Sequence, residues 1–128
     1  MKNSVLIGAY SMALAIVLGA FGAHGLKTVV SEYSVEVYNK AVYYQVIHSL
    51  GLLLTAIVLN GEKALKILRM LFLAGIVGFS GSLYLLTFAD KLPHMLKQIV
   101  GPITPIGGAF FVASWVYFAI AFRKEANN

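Results

Sequence analysis

Apolar residues run along this chain in four long stretches, separated by short segments that hold most of the charge. The stretches cover residues 4–22, 41–59, 67–89 and 103–122. A helix rises 1.5 Å per residue, so about 20 apolar residues cross the roughly 30 Å of a bilayer's hydrocarbon core. A helix also satisfies its own backbone hydrogen bonds where water is absent. The pattern therefore predicts an all-α integral membrane bundle of four transmembrane helices, forming a single domain over residues 1–128.

The first stretch, with Lys2 before it and small residues at its end, also has features of a signal peptide. It is longer than the usual signal-peptide core of about 7 to 15 apolar residues, so we expect a retained span. Ser11, Ala15 and Gly19 recur four apart, which places them on one helix face. Small residues on one face favour close packing against a neighbouring helix.

Composition and charge agree with a membrane protein. Of the 128 residues, 59% are hydrophobic and 12% charged, and the mean hydropathy is +0.82. The net charge of +5 comes from Lys and Arg residues that flank the apolar stretches, where they set topology and contact lipid headgroups. We therefore expect membrane lipids as partners and no nucleic acid. The chain has no cysteine, which excludes disulfides, thiolate metal sites and cysteine nucleophiles.

The distribution of basic residues predicts the orientation. Four spans place both chain ends on one side, and cytoplasmic segments carry the excess of Lys and Arg. One side would hold Lys2, Lys63, Lys66, Arg69, Arg123 and Lys124, and the other Lys27, Lys40, Lys91 and Lys97. We expect both ends to be cytoplasmic in a bacterial plasma membrane.

The segment between the first two spans is predicted to be partly helical and to lie at the membrane interface. Ser31 or Ser34 can cap a helix, and apolar or aromatic residues then follow at spacings of three and four. That period continues into the second span without a glycine or proline. The second helix should therefore project beyond the hydrocarbon.

The other two connections predict turns. Asn60–Gly61 tolerates the left-handed backbone that often ends a helix. Asp90–Pro102 is longer and amphipathic in places, so we expect it to lie along the outer interface until Gly101–Pro102 interrupts it. Thr104–Pro105 then reads as the cap and first turn of the fourth span.

His48 lies near the middle of the second span, where ionisable residues are rare and seldom face lipid. We interpret it as the centre of a polar intramembrane cluster comprising Tyr44, Gln45, His48, Ser80, Ser82 and Tyr84. One interpretation is that these side chains form hydrogen bonds across helices, for example from His48 to Ser80 or Ser82, and specify packing. The other is a proton-linked or ligand-binding role.

A second candidate site lies at the predicted outer interface and would bind a lipid headgroup. It comprises His24, Glu36, Thr104, Gly107 and Gly108. Free backbone N–H groups at the start of a fourth helix could hold a phosphate, although the two glycines could equally serve close packing. His24, Glu36 and His48 do not follow a recognised metal motif, so we expect no metal and no cofactor. We assign no catalytic residue, because no span contains an acid to orient a His and Ser pair.

Four motifs carry a resemblance to a known family. They are Gly19-Ala-Phe-Gly-Ala-His-Gly-Leu26, Tyr44-Gln45-x-x-His48-Ser49-Leu50, Phe79-Ser-Gly-Ser-Leu-Tyr-Leu85, and Ile103-Thr-Pro-Ile-Gly-Gly108 with Trp115 following. Together they resemble the small uncharacterised membrane-protein family of bacterial YgdD- and YwdK-like proteins and eukaryotic transmembrane protein 256. The resemblance implies a multi-pass, four-helix protein of unknown activity and brings no established catalytic residue.

Three functions remain as hypotheses. The first is a non-enzymatic bundle that associates with itself or with a larger complex, which the small-residue faces favour. The second is a carrier or channel for a small polar solute or protons, using His48, Gln45 and Tyr44. The third is a lipid-binding protein or membrane enzyme at the outer interface.

Overall fold

The protein folds into four long helices, and a computed structural model describes residues 1–127. The helices are α1 (Lys2–His24), α2 (Glu32–Val58), α3 (Glu62–Thr87) and α4 (His94–Ala126). Short 3₁₀ turns at Leu26–Thr28 and Ala89–Lys91 precede α2 and α4. All four helices are long and apolar enough to cross a membrane, and the described residues include no strand. The predicted all-α class and four spans are confirmed.

The helices are arranged in chain order, with α2 and α3 in the middle. Helix α2 packs along α1 and α3, α3 packs along α4, and the outer helices α1 and α4 scarcely meet. In the most apolar part of each helix, 44% of residues are buried in α2 and 33% in α3, against 17% in α1 and 22% in α4. The outer helices therefore present most of their apolar surface to lipid.

A seam of small residues joins α1 to α2. The buried residues of α1 are Ser4, Gly8, Ala15 and Gly22, which follow one another at spacings of four, seven and seven and so lie on one helix face. A Cβ at Gly22 would lie 2.6 Å from a ring carbon of Tyr38, so the two helices approach as closely as glycine permits. The small-residue face predicted for the first span is the one that packs against α2.

The connection between α1 and α2 is partly helical, as predicted. Leu26 is fully buried in its 3₁₀ turn and fixes the loop against the bundle. Ser31 caps α2, because its hydroxyl oxygen accepts a hydrogen bond from the Ser34 N–H at 3.2 Å. Helix α2 then runs unbroken to Val58. The continuous helix predicted from the spacing of apolar residues is therefore confirmed.

The turn between α2 and α3 differs from the prediction. Gly61 has φ of −71°, and no residue in 1–127 adopts a positive φ. The carboxylate of Glu125, at the end of α4, instead accepts hydrogen bonds from the N–H groups of Asn60 at 2.9 Å and Gly61 at 2.8 Å. The prediction of a left-handed turn was wrong, because the Glu125 side chain satisfies the N–H groups of this turn without it.

The predicted interruption at Gly101–Pro102 is also wrong. Helix α4 begins at His94 and continues through Pro102 and Pro105. Each proline removes one backbone hydrogen bond, whereas ending a helix inside a membrane would leave several groups unpaired. Thr104 is consequently an interior helix residue and not a cap.

Candidate functional site

His48 lies on the face of α2 that meets α3 and α4, and its ring is enclosed by aromatic side chains. The imidazole is 4% exposed and stacks on Phe111, with ring centres 3.4 Å apart and an angle of 11° between the planes. Phe72 and Trp115 approach it at 6.0 Å and 6.2 Å. The predicted intramembrane histidine is therefore buried among rings rather than beside other polar groups.

The one hydrogen bond that the described residues give the His48 ring stays within its own helix. Nδ1 lies 2.7 Å from the carbonyl oxygen of Tyr44. A carbonyl oxygen only accepts, so Nδ1 carries the proton, and in the neutral ring Nε2 holds the lone pair. The suggested bonds from His48 to Ser80 or Ser82 are not formed. Tyr44 stacks against the same ring with centres 5.8 Å apart.

Gln45 forms a separate polar connection that ties three helices together. Its Oε1 accepts a hydrogen bond from the Tyr84 hydroxyl of α3 at 2.8 Å, and its Nε2 donates to the Ser11 carbonyl of α1 at 3.0 Å. One turn further along α2, the Ser49 hydroxyl donates to the Ser11 hydroxyl at 2.7 Å. Gln45 is 3% exposed, so this connection is internal to the bundle.

The serines of α3 behave differently from each other. The Ser82 and Thr104 hydroxyls lie 2.6 Å apart and join α3 to α4, and Ser82 also donates to the Phe79 carbonyl at 2.9 Å. Ser80 is fully buried, and its hydroxyl has no hydrogen-bond partner among residues 1–127. The six residues predicted as one cluster are therefore divided between the His48 enclosure, the Gln45 connection and the Ser82–Thr104 pair, with Ser80 apart.

The crossing of α3 and α4 explains the glycines of the second candidate site. Residues Ile76–Gly81 of α3 form a π-helical segment, in which the backbone hydrogen bonds skip one extra residue. A Cβ built on Gly78 would come within 3.0 Å of the Gly107 Cα, and one built on Gly107 would overlap the backbone of Gly78 and Phe79. The two helices therefore touch backbone to backbone at this point.

The second candidate site is not assembled as predicted. Gly107 is buried inside α4, more than three turns from its first residue His94, so no free helix start lies beside it. Thr104 is bonded to Ser82, and Gly108 faces the Phe79 ring at an ordinary contact distance. His24, the last residue of α1, and Glu36, in the second turn of α2, are both exposed, and Glu36 lines a hollow with Lys27 and Glu32. The predicted helix start was wrong, and with it the geometric reason for this site.

Sequence reasoning missed the aromatic enclosure of His48. Phe111 and Trp115 lie four residues apart and therefore share one face of α4, a spacing that could have indicated the enclosure. The partnership of Ser11 with Gln45 and Ser49 had no such signal, because Ser11 was considered only as a small packing residue. Within residues 1–127, no group of three His, Asp or Glu side chains is placed to hold a metal ion.

Comparison with known proteins places the chain in a family. The family model described as "Protein of unknown function (DUF423)" matches residues 18–108. The UPF0382 membrane protein YwdK of Bacillus subtilis is 39% identical over 97% of this chain and 98% of its own length. A UPF0382 membrane protein of Staphylococcus aureus is 38% identical over 99% of this chain and all of its own length, as is one of Staphylococcus epidermidis.

No solved structure matches the chain. The relatives are named as membrane proteins, in agreement with the four apolar helices, and their names assign no activity. The resemblance to YwdK-like proteins that the four motifs indicated is confirmed. The chain belongs to the DUF423 family of membrane proteins of unknown function.

Proposed function

We propose that this multi-pass protein is a non-enzymatic bundle that acts by associating with a second copy of itself in the bacterial plasma membrane. The internal polar groups support this view, because Gln45, Tyr84, Ser82 and Thr104 bond one helix to another. Interhelical hydrogen bonds of this kind stabilise a membrane fold, and they engage the polar atoms of these four side chains in packing. The function would then be exercised through the outer surface of the bundle.

A groove on α2 carries the proposal. Helix α2 is the most buried helix, yet one strip of it stays open to lipid because α1 and α4 do not close over it. The groove has a volume of about 570 Å³, and its lining is almost wholly apolar: Ile47, Leu50, Gly51, Leu53, Leu54, Ile57 and Trp115. Leu50 and Ile57 are 53% and 79% exposed.

Shape, rather than hydrophobicity, selects a partner inside a membrane. Lipid chains are as apolar as leucine, so helices associate where their surfaces fit closely. A groove between the open strip of α2 and Trp115 of α4 gives the second copy a better fit than a convex helix face does. In a two-fold symmetric pair, the projecting Leu50 and Ile57 side chains of each copy would fill the groove of the other copy.

The packing of His48 favours association over transport. A carrier or channel would need a hydrated route to this side chain. The ring is 4% exposed and stacked on Phe111, so a polar solute could reach it only after several aromatic side chains had moved.

Cysteine crosslinking in membranes tests the proposed pair. The chain contains no cysteine, so each single substitution reports one position. We expect Leu50→Cys to form a disulfide-linked dimer on mild oxidation, because groove residues of two copies would face each other. Leu14→Cys is the matched control: it is also 53% exposed and lies near the middle of its span, but on the outer face of α1.

Crosslinking should recur along the groove, at Ile47→Cys, Leu54→Cys or Ile57→Cys, and be absent from α1. If none of the groove variants forms a dimer, or if Leu14→Cys crosslinks equally well, the proposed pair does not exist. A partner of different sequence would appear as a crosslinked product of another mass and would likewise overturn self-association.

A further inference from the structure

A cleft lies at the end of the bundle where α1 and α3 both begin. Lys2 and Asn3 line it from α1, together with Met1, and Glu62, Lys66 and Arg69 line it from α3 above a floor formed by buried Leu65. Its volume is about 280 Å³. Since a water molecule takes about 30 Å³ in the liquid, the cleft has room for a hydrated ionic group rather than for one or two waters.

The lining of the cleft is strongly positive. Lys2, Lys66 and Arg69 converge on it, and Glu62 is the one acidic residue among those that line it. Lys66 and Arg69 are three residues apart and so share a face of α3. Arg69 is half-buried and lies seven residues into α3, about 10 Å along the helix axis. Basic side chains gathered in this way at the edge of a membrane attract anionic groups.

The N-termini of α1 and α3 add to the positive electrostatic potential of the cleft. Neither α1 nor α3 begins with a residue whose side chain bonds the N–H groups of the first turn, and at α3 the Glu125 carboxylate accepts only from the N–H groups of Asn60 and Gly61, which precede that turn. The first backbone N–H groups of a helix lack partners inside the helix, and the helix dipole places partial positive charge there. The free N–H groups in the first turns of α1 and α3, beside basic side chains, form a setting that favours a bound phosphate.

The whole of this end of the bundle is more basic than the other. Six Lys and Arg side chains and two acids lie here, a net charge of +4, while four basic and three acidic side chains lie at the other end, a net charge of +1. Glu125, one of the two acids, is already bonded to the turn between α2 and α3. An anionic membrane surface therefore attracts this end of the protein.

We propose that this cleft binds the phosphate group of an anionic phospholipid, with Lys2, Lys66 and Arg69 contacting the headgroup. The half-buried Arg69 guanidinium would hold the phosphate oxygens through paired N–H donors, and the two lysines would neutralise the remaining charge. The acyl chains would then run along the apolar outer faces of α1 and α3. This site lies apart from the groove on α2 and does not depend on self-association.

Native mass spectrometry of the full-length protein in detergent tests the assignment, with phosphatidylglycerol and phosphatidylcholine as probes. We expect the protein to retain one phosphatidylglycerol in preference to phosphatidylcholine. Lys66→Gln and Arg69→Gln should each weaken retention of phosphatidylglycerol by about fivefold, and Arg69→Lys by less. Lys63→Gln and Lys124→Gln are the matched controls, because these residues lie at the same end but line a different hollow.

Three results would overturn the proposal. Equal retention of the two lipids would show that headgroup charge is not recognised. If Lys63→Gln and Lys124→Gln weakened phosphatidylglycerol retention as much as Lys66→Gln, the lipid would be held by general electrostatic attraction and not by the cleft. Displacement of phosphatidylglycerol by equimolar inorganic phosphate would assign the cleft to free phosphate instead of a lipid. Lys2→Gln and Lys66→Gln alter exposed side chains and carry the test should Arg69→Gln fail to fold.

Discussion

Single glycines decide how closely the helices of this protein can approach. Gly107 and Gly101 stand six residues apart in the same helix, yet their surroundings are opposite. A Cβ at Gly107 would overlap the backbone of α3, while a Cβ at Gly101 would meet nothing within 4 Å. The value of a glycine here depends on what faces it and not on its conformational freedom, since neither glycine has a positive φ.

We expect Gly107→Ala to destabilise the protein by about 1–3 kcal/mol, because backbone cannot move aside as a flexible side chain can. Gly101→Ala should be neutral or stabilise by up to about 1 kcal/mol, since alanine is the better helix former. Denaturation of each variant in detergent, followed by circular dichroism, measures the difference. Equal stability of the two variants would show that the contact between Gly78 and Gly107 does not form.

For a single residue, the sequence predicts whether its side chain is buried better than it predicts which side chains it contacts. His48 was expected to point into the bundle, because ionisable residues within an apolar stretch seldom face lipid, and the side chain is buried. The residues that contact His48 could not be predicted from the sequence, because they depend on which faces of α3 and α4 point into the bundle. The π-helical segment shifts the phase of α3 after Gly75, so side chains beyond it cannot be assigned to a face from a 3.6-residue period.

At the scale of the helices, α4 is the element that holds the remote turn in place. Its last turn carries Glu125, whose two carboxylate oxygens bond the N–H groups of Asn60 and Gly61. The bonds join residues about half the chain apart, so the end of α4 and the start of α3 cannot separate without exposing two donors. The turn is therefore held by a tertiary contact and not by hydrogen bonds among its own residues alone.

We expect Glu125→Gln to destabilise this contact by about 0.5–2 kcal/mol, because the amide keeps one acceptor oxygen and loses the charge. Amide hydrogen exchange at Asn60 and Gly61 should quicken, while exchange in the middle of α2 stays unchanged. Lys124→Gln, one residue away, is the control and should leave the turn protected. Unchanged exchange at both amides in Glu125→Gln would contradict the role given to the carboxylate.

The existence of each helix was predictable from apolar length, but its ends were predictable only where a local signal sets them. Ser31 caps α2 as expected, since the cap and its N–H partner lie three residues apart. Gly101–Pro102 did not end a helix, because a proline removes one backbone hydrogen bond, whereas ending the helix there would leave several backbone groups without helical partners. The conformation of the turn at Asn60–Gly61 depends on Glu125, and rules based on neighbouring residues cannot predict a contact so distant in sequence.

At the scale of the whole molecule, both described ends of the chain lie on one side of the bundle. Lys2 shares a cleft with the start of α3, and Glu125 bonds the turn that precedes it. An even number of crossings is therefore built into the fold. The side of the membrane on which these ends lie stays a prediction from the excess of basic residues.

We expect Lys63→Cys to be labelled by an impermeant maleimide only after cells are opened, and Lys91→Cys to be labelled in intact cells. Both lysines are exposed, they lie at opposite ends of the bundle, and the background has no cysteine. Labelling of Lys63→Cys in intact cells would reverse the orientation. Labelling of both variants from the same side would contradict the four crossings.

The order of the helices also bears on biogenesis. Each extensive interface joins helices that are adjacent in the chain, α1 to α2, α2 to α3 and α3 to α4. Every helix after the first therefore meets its main neighbour already in the bilayer when it leaves the translocon, and no helix has to wait for a distant one. Assembly can keep pace with the ribosome, and the contacts that α4 makes with earlier parts of the chain, such as Phe111 with His48 and Glu125 with Asn60, form after α2 and α3 have already paired.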